Sequence, residues 1–445
     1  MPQPPVERTL GLGVATLLVA SCMIGTGVFT TGGVLAERLG SPLAALAAWA
    51  VGGLVALSGA LAYGELAAAL PRSGGEYHLL GRIFHPAVGF VAGVVSITVG
   101  FAAPMAASAL AFGSYLHAVF PPVPPVPAAA ALVAVLAALH AWRGALGFRL
   151  QALVTLAGIA LMLLLIAAAA VRGTATRLVA GPGTLAAGVT SPEFALGLIL
   201  VAFAYSGWNG AVYVAGEVRR PQRTLPLALL LGTLAVMLLY LGLNAAFLAA
   251  VPARELAGVV EVGHVAAVRL LGPRVGSAFS GAILVALAAS ASAMLIQGSR
   301  VSHVMGEDHR RLAFLGRRGR RGTPATAVGL QAALALVMLA TASFGTLLTY
   351  IGVTLSLSAA ATVIGLFWLR RREPGLPRPY RAWGYPVTPI FFLALSAWMI
   401  GHAVIERPAV VATALATVGG ALGLYHLIGA RSPASARPDS GGSPR

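Results

Sequence analysis

The chain has no lysine, one cysteine and only 13 acidic residues in a length of 445. Each scarcity closes a class of explanation. Charged residues make up 10% of the sequence and hydrophobic ones 58%, whereas soluble domains carry about 25% charged residues. A soluble core is therefore excluded, and the chain reads as an all-α polytopic membrane protein. The lone thiol, Cys22, excludes an internal disulfide. Without lysine there is no Gly-rich phosphate loop of the kind that needs one. No cluster has metal-ligand spacing and no Ser/His/Asp constellation is present, so no metal, cofactor or catalytic activity is expected.

What is present is apolar sequence in long runs. A helix crosses the bilayer with about 20 residues, and twelve such spans can be read near 10–35, 43–69, 86–118, 127–141, 148–171, 194–216, 225–250, 274–304, 324–343, 346–369, 386–405 and 408–429. Residues 1–9 form a cytoplasmic N-terminus and the Ser/Pro/Gly/Arg-rich residues 430–445 a disordered tail. The segment Val19-Ala20-Ser21-Cys22 looks like a lipoprotein cleavage site, but the chain continues apolar to Leu35 instead of becoming a polar tether. The run also exceeds the roughly 7–15 residues of a signal peptide.

The net charge of +17 is the electrostatic footprint that nucleic-acid binders also carry. Its distribution argues otherwise. With the N-terminus in the cytoplasm, 23 arginines fall inside and 7, including Arg38, Arg254 and Arg407, fall outside. That is the positive-inside bias of a membrane protein, so no nucleic-acid partner is expected. The run from His309 to Arg321 becomes a cytoplasmic loop placed to meet anionic lipid headgroups.

The first span carries Ile24-Gly25-Thr26-Gly27 at membrane depth, where helix-weakening residues predict an interruption. Backbone freed there survives only if it lines a cavity or meets a polar ligand. A second interruption is predicted in the sixth span, at Phe203-Ala204-Tyr205-Ser206-Gly207-Trp208-Asn209-Gly210. Matching breaks in two five-span halves, 10–171 and 194–369, point to an inverted-repeat transporter with substrate bound between discontinuous helices. Spans 11 and 12, 386–429, are then additions.

These residues resemble the amino acid/polyamine/organocation transporters, and their L-amino acid transporter type above all. Ile24-Gly25-Thr26-Gly27-Val28-Phe29 is similar to that family's unwound first span. Ala62-Tyr63-Gly64-Glu65-Leu66 with Pro71-Arg72-Ser73-Gly74-Gly75-Glu76-Tyr77 is similar to its first cytoplasmic loop. The stretch from Phe203 to Asn209, Gly216-Glu217-Val218-Arg219-Arg220-Pro221, Ser299-Arg300 and Arg378-Pro379-Tyr380-Arg381-Ala382-Trp383-Gly384-Tyr385-Pro386 also match. The resemblance covers nearly the whole chain. It implies the LeuT-like fold, a 5+5 inverted repeat with broken helices 1 and 6, and transport of amino acids across the plasma membrane.

The residues themselves suggest how such a substrate is held. The second half of the first span presents free N–H groups around Thr26, Gly27 and Val28, where the helix dipole also favours an anion. A carboxylate belongs there. Carbonyls from Cys22 to Ile24 and from Phe203, Ala204, Tyr205 and Ser206 would take the ammonium. Gly25 and Gly27 would let the ligand approach the main chain, and Asn209 is placed to hydrogen-bond across the site. Phe203 and Trp208 are candidates for an aromatic wall or lid, and for Phe203 the resemblance implies a gate. All acidic residues fall in loops or at span ends, so a cationic substrate would lack a buried counter-charge and a neutral L-amino acid is favoured. Glu65 and Glu217, beside Arg72, Arg219 and Arg220, read as inner-gate ion pairs. His140 and His402 are expected near span ends with water or backbone partners.

Coupling is argued from what is missing. In many relatives a lysine of the fifth span replaces a sodium ion beside the broken first helix, and aligning that pattern puts Gly158 at its position. A sodium ion would need oxygen ligands, and the candidate ion site offers Ser290 and Ser292, which two residues apart do not share a helical face. Sodium-independent exchange is therefore expected, with a proton- or sodium-coupled symporter as the alternative. A channel would be expected to carry a selectivity element or charged ring, and a membrane-embedded enzyme a His or acid pair within a span; the sequence offers neither. The outer loop 117–127 has no cysteine, so the disulfide that ties animal relatives to a heavy chain cannot form there.

Overall fold

Apolar sequence crosses a bilayer as helices or as closed barrels, because only these satisfy every backbone group internally. A computed structural model describes residues 8–143, 148–178, 188–317 and 323–428, the side chains of 143–151 excepted. Among these residues there are helices and no strand, only an isolated parallel bridge between Leu10 and Val218. The tail 430–445, most of the segment 1–9, and Arg318, Arg320 and Arg321 lie outside the described residues.

Ten helices are long and apolar enough to span, or up to eleven when the bent pair α1 (Leu12–Met23) and α2 (Thr26–Leu39) is one span. The others relevant here are α3 (Pro42–Ala69), the short α4 (Gly75–Ile83), and α5 (Pro86–Val119) with a π-helical centre at Ser96–Ala102. They continue with α6 (Pro125–Arg143), α7 (Phe148–Arg172), α8 (Pro192–Tyr205), α9 (Pro221–Ala250), α10 (Val262–Leu271) and α11 (Pro273–Asp308). Last come α12 (Ala325–Thr341), α13 (Phe344–Arg372), α14 (Val387–Glu406) and α15 (Pro408–Ile428). The 17-residue α12 stands where the ninth of twelve spans is expected.

Helix starts follow local chemistry. Ser41, Ser191 and Ser343 each accept a backbone N–H of the following turn, and Pro42 and Pro192 occupy first positions where no N–H is needed. Burial then sorts the spans. In the sixth span 78% of the apolar window is buried, against 22% in α6 and in α15. A helix hydrophobic all round belongs in the middle of a large assembly, so the two broken spans form the centre and α6, α7, α14 and α15 the lipid-facing rim.

Both interruptions are observed. Ile24 and Gly25 are extended between α1 and α2, whose axes bend by 40°. In the sixth span α8 ends at Tyr205, and the chain passes through Gly207 at φ +100° into a 3-10 segment, Gly210–Glu217. Positive φ is open to glycine at no steric cost, which places the break there. The ends are tied together: Leu10 N–H donates to Glu217 O at 3.0 Å and Arg219 N–H to Leu10 O at 2.8 Å. The first span therefore begins on the side where the sixth ends, and the two run antiparallel.

Candidate functional site

Broken helices expose groups that the fold must satisfy. The carbonyl of Met23, last residue of α1, accepts the Tyr240 hydroxyl at 2.6 Å, and within α2 Phe29 O accepts Tyr115 at 2.8 Å. Beside the breaks lies a cavity that reaches between α3, α5, α11, α13 and α14. Its polar wall comprises Glu76, Asn209, Tyr213 and Gln297, and its apolar wall Phe101 and Trp208. Trp208 is held edge-on against Tyr63 at 4.7 Å and Phe392 at 6.2 Å between ring centroids.

The residues singled out in the sequence divide between this cavity and the packed elements around it. Tyr205, Ser206, Trp208 and Asn209 line the cavity. Tyr205 also donates to Trp49 O at 3.0 Å. Ile24, Gly25, Thr26, Gly27, Val28, Phe203 and Ala204 do not line it. Gly27 faces Ala204 so closely that an added Cβ would lie 2.4 Å from the Ala204 Cα. The second half of the first span and the first half of the sixth thus touch at Gly27 and Ala204, and the cavity runs along the break of the sixth span, from Leu198 and Ala202 of α8 to Tyr213.

The Thr26 hydroxyl bonds to Ser108, which reaches Ser290 at 3.5 Å. Ser290 lies against Gly25, where an added Cβ would be 2.6 Å from its Oγ. Ser292 points elsewhere, to His140 Nε2 at 2.7 Å. Gly158 faces Ile24, whose Cγ2 would be 3.9 Å from an added Cβ.

Several expectations need correction. Glu65 and Glu217 are not paired with Arg72, Arg219 or Arg220 among the described residues. Glu65, 1% exposed, takes Arg370 in a two-pronged contact at 2.8 and 2.6 Å, with Arg378 at 3.5 Å and the Ala382 N–H at 2.7 Å. It fastens α3 to the end of α13 and to the linker before α14, because α13 lies alongside and delivers its terminal arginines there. Glu217 faces Arg300 at 3.8 Å. His140 and His402 do lie near the ends of α6 and α14, but His140 is buried against the Ser292 hydroxyl instead of a water or backbone group, and His402 packs against the Trp398 ring at 5.6 Å. At the periphery, hydrogen bonds from Arg82 hold the Glu373 carboxyl below its ordinary range.

The largest correction concerns Glu76, which the sequence placed in a loop. The loop turns inward: Gly74 N–H donates to Tyr213 O at 3.2 Å and Gly216 N–H to Ser73 Oγ at 2.9 Å. Glu76 is thereby 5% exposed and in the cavity wall. Its carboxylate accepts Tyr63 OH at 3.0 Å, Asn209 Nδ2 at 2.6 Å and Tyr213 OH. Asn209 caps the 3-10 segment Gly210–Glu217 and Tyr213 lies within it, and this irregular backbone brings both side chains to the carboxylate. No local signal marked Tyr213, and Glu76 was marked only by its place in the Pro71–Tyr77 stretch that resembles the family's first cytoplasmic loop.

Known proteins bear on the chain at this point. A family profile described as amino acid permease matches residues 10–423. The chain is 27% identical to the serine/threonine exchanger SteT of Bacillus subtilis, over 90% of this chain and 92% of that one. It is 28% identical to the human large neutral amino acids transporter small subunit 2, over 95% of this chain and 80% of that one. The mouse Asc-type amino acid transporter 1 is 27% identical over 91% and 78% respectively. A multi-pass helical chain, broken in its first and sixth spans around an internal cavity and matched over nearly its whole length, belongs to the amino acid permease family.

Proposed function

We propose that the protein exchanges neutral L-amino acids across the plasma membrane by alternating access, without sodium, with both termini cytoplasmic and no disulfide-linked heavy chain. The observation that carries this reading is the cavity wall. It combines aromatic faces with uncharged hydrogen-bonding groups, no arginine or histidine lines it among the described residues, and its one carboxylate is already engaged by three donors. An uncharged side chain suits that lining, because a charged one would be desolvated without a partner.

Exchange is favoured by the likeness to a protein named as a serine/threonine exchanger. Sodium independence is favoured by the divergence of Ser290 and Ser292 toward different neighbours, which leaves the two hydroxyls unable to share an ion. The two five-span halves are read as inverted repeats, a reading supported by the antiparallel course of the first and sixth spans. With the N-terminus inside, the halves that touch at Gly27 and Ala204 are the outer ones, and the cavity lies at the level of the breaks, lined from both halves of the sixth span.

Purified protein in liposomes tests this. Radiolabelled L-alanine or L-threonine should enter only when an unlabelled neutral amino acid is loaded inside, with arginine, lysine and glutamate poor competitors. Accumulation in unloaded liposomes driven by a proton or sodium gradient would establish the symporter instead. Orientation is tested by single-cysteine reporters in a Cys22→Ser background: one at Arg254 should label from outside intact cells and one at Arg317 should not. The reverse pattern would invert the topology.

A further inference from the structure

Glu76 raises a question that transport alone does not answer: what a carboxylate does in the wall of a cavity suited to neutral side chains. It lies on α4, outside both broken spans, yet it reaches the polar side chains that the sixth span contributes. An ionised carboxylate only accepts hydrogen bonds, whereas an amide can turn either its N–H₂ or its oxygen to a neighbour. The contact of Asn209 Nδ2 with Glu76 Oε1 at 2.6 Å therefore decides which way Asn209 faces, and its Oδ1 is left for the cavity. The same logic governs Tyr213. Its hydroxyl proton goes to Glu76 Oε2, so its oxygen is an acceptor, and it takes the Ser96 hydroxyl at 3.3 Å.

We infer that Glu76 is a positioning residue that turns Asn209 into an oriented acceptor for the ammonium group of the substrate. The inference rests on the amino acid reading of this cavity and specifies how one end of such a substrate is recognised. Tyr63, Asn209 and Tyr213 take three of the roughly four lone-pair sites of the Glu76 carboxylate, whereas Asn209 Oδ1 is the acceptor that the Glu76 contact turns toward the cavity. Replacing the carboxylate with an amide removes the constraint. A Gln at this position can donate as well as accept, and Asn209 is then free to flip its N–H₂ toward the cavity and repel an ammonium.

The test is binding to purified protein, followed as the shift in melting temperature with L-alanine or L-leucine and with their des-amino analogues, propionate and isocaproate. The wild type should be stabilised by the amino acids and not by the analogues. Glu76→Gln and Asn209→Ala should each weaken amino acid binding by roughly 10- to 100-fold, the scale of one hydrogen bond to a charged group. The double variant should be no weaker, since both act through one interaction. Both single variants should also lose most of the discrimination between amino acid and analogue, a ratio that a merely structural role for Glu76 would leave unchanged.

Additive losses in the double variant, or discrimination retained in Glu76→Gln, would overturn the inference. So would a wild type that binds amino acid and analogue equally. Amino acid binding that follows the expected pattern without counterflow would overturn exchange while leaving the role of Glu76 standing, and a wild type that binds neither compound would overturn both.

Discussion

A single methyl group added at Gly27 is expected to reduce counterflow by roughly five- to a hundredfold while the protein remains folded and in the membrane, and Gly27→Leu to abolish it. The Cβ of an alanine would sit 2.4 Å from the Ala204 Cα, 2.7 Å from its Cβ and 3.3 Å from its N. These are atoms of a packed helix, not the tip of a flexible side chain, so relief requires α2 and α8 to move apart. Overpacking of this kind costs about 1–3 kcal/mol, and each 1.4 kcal/mol is roughly a tenfold change in population. The arrangement in which the two halves close would therefore become a minor one, and alternating access needs it in every cycle.

This reason differs from the one the sequence suggested, in which a side chain at Gly27 displaces the bound carboxylate. The two are separable. If closure is what fails, Gly27→Ala should still be stabilised by L-alanine in a melting assay while its initial exchange rate collapses. If the carboxylate site is what fails, both are lost. Wild-type exchange in Gly27→Ala would remove the close approach of α2 and α8 from the mechanism altogether.

The second large effect is expected at Glu65. Removing one partner of a buried, hydrogen-bonded ion pair leaves the other charge without compensation, at a cost of about 3–5 kcal/mol. Here Glu65→Ala would strand Arg370, which reaches it with two bonds and also lies 3.6 Å over the Tyr385 ring, and would orphan the Ala382 N–H. A fall in melting temperature and a loss of monodisperse protein on gel filtration should follow, before any question of rate arises. The comparison is Arg82→Ala, which removes an equally short contact with Glu373 but at side chains 45% and 30% exposed. Such surface pairs are worth about 0–1 kcal/mol, so that variant should melt close to the wild type. Equal melting of Glu65→Ala and Arg82→Ala would show that the buried network does not hold the linker before α14.

The sequence by itself determined the class of this protein. Its hydropathy defined the spans because the bilayer tolerates little else, and its arginine asymmetry suggested their direction. The breaks at Gly25 and Gly207 were legible for a local reason: glycine and small polar residues at membrane depth weaken a helix wherever it is packed. Tyr205, Ser206, Trp208 and Asn209 could be expected near the cavity because they flank a break.

What only the tertiary structure decided are the partners. Glu65 was visible, but its pairing with Arg370 spans 305 positions of sequence, and no local pattern encodes that distance. Ser290 and Ser292 could be assigned to different faces from helical spacing, yet which face meets Ser108 and which meets His140 depends on how α11 is rotated against α5 and α6. Glu76 shows the limit most plainly. Read along the chain it is one polar residue in a polar loop, and it becomes a buried carboxylate only because Gly74 and Ser73 bond to the sixth span and turn the start of α4 inward. Local propensity is set by neighbours in sequence. Burial, and with it the chemistry of a charged group, is set by neighbours in space.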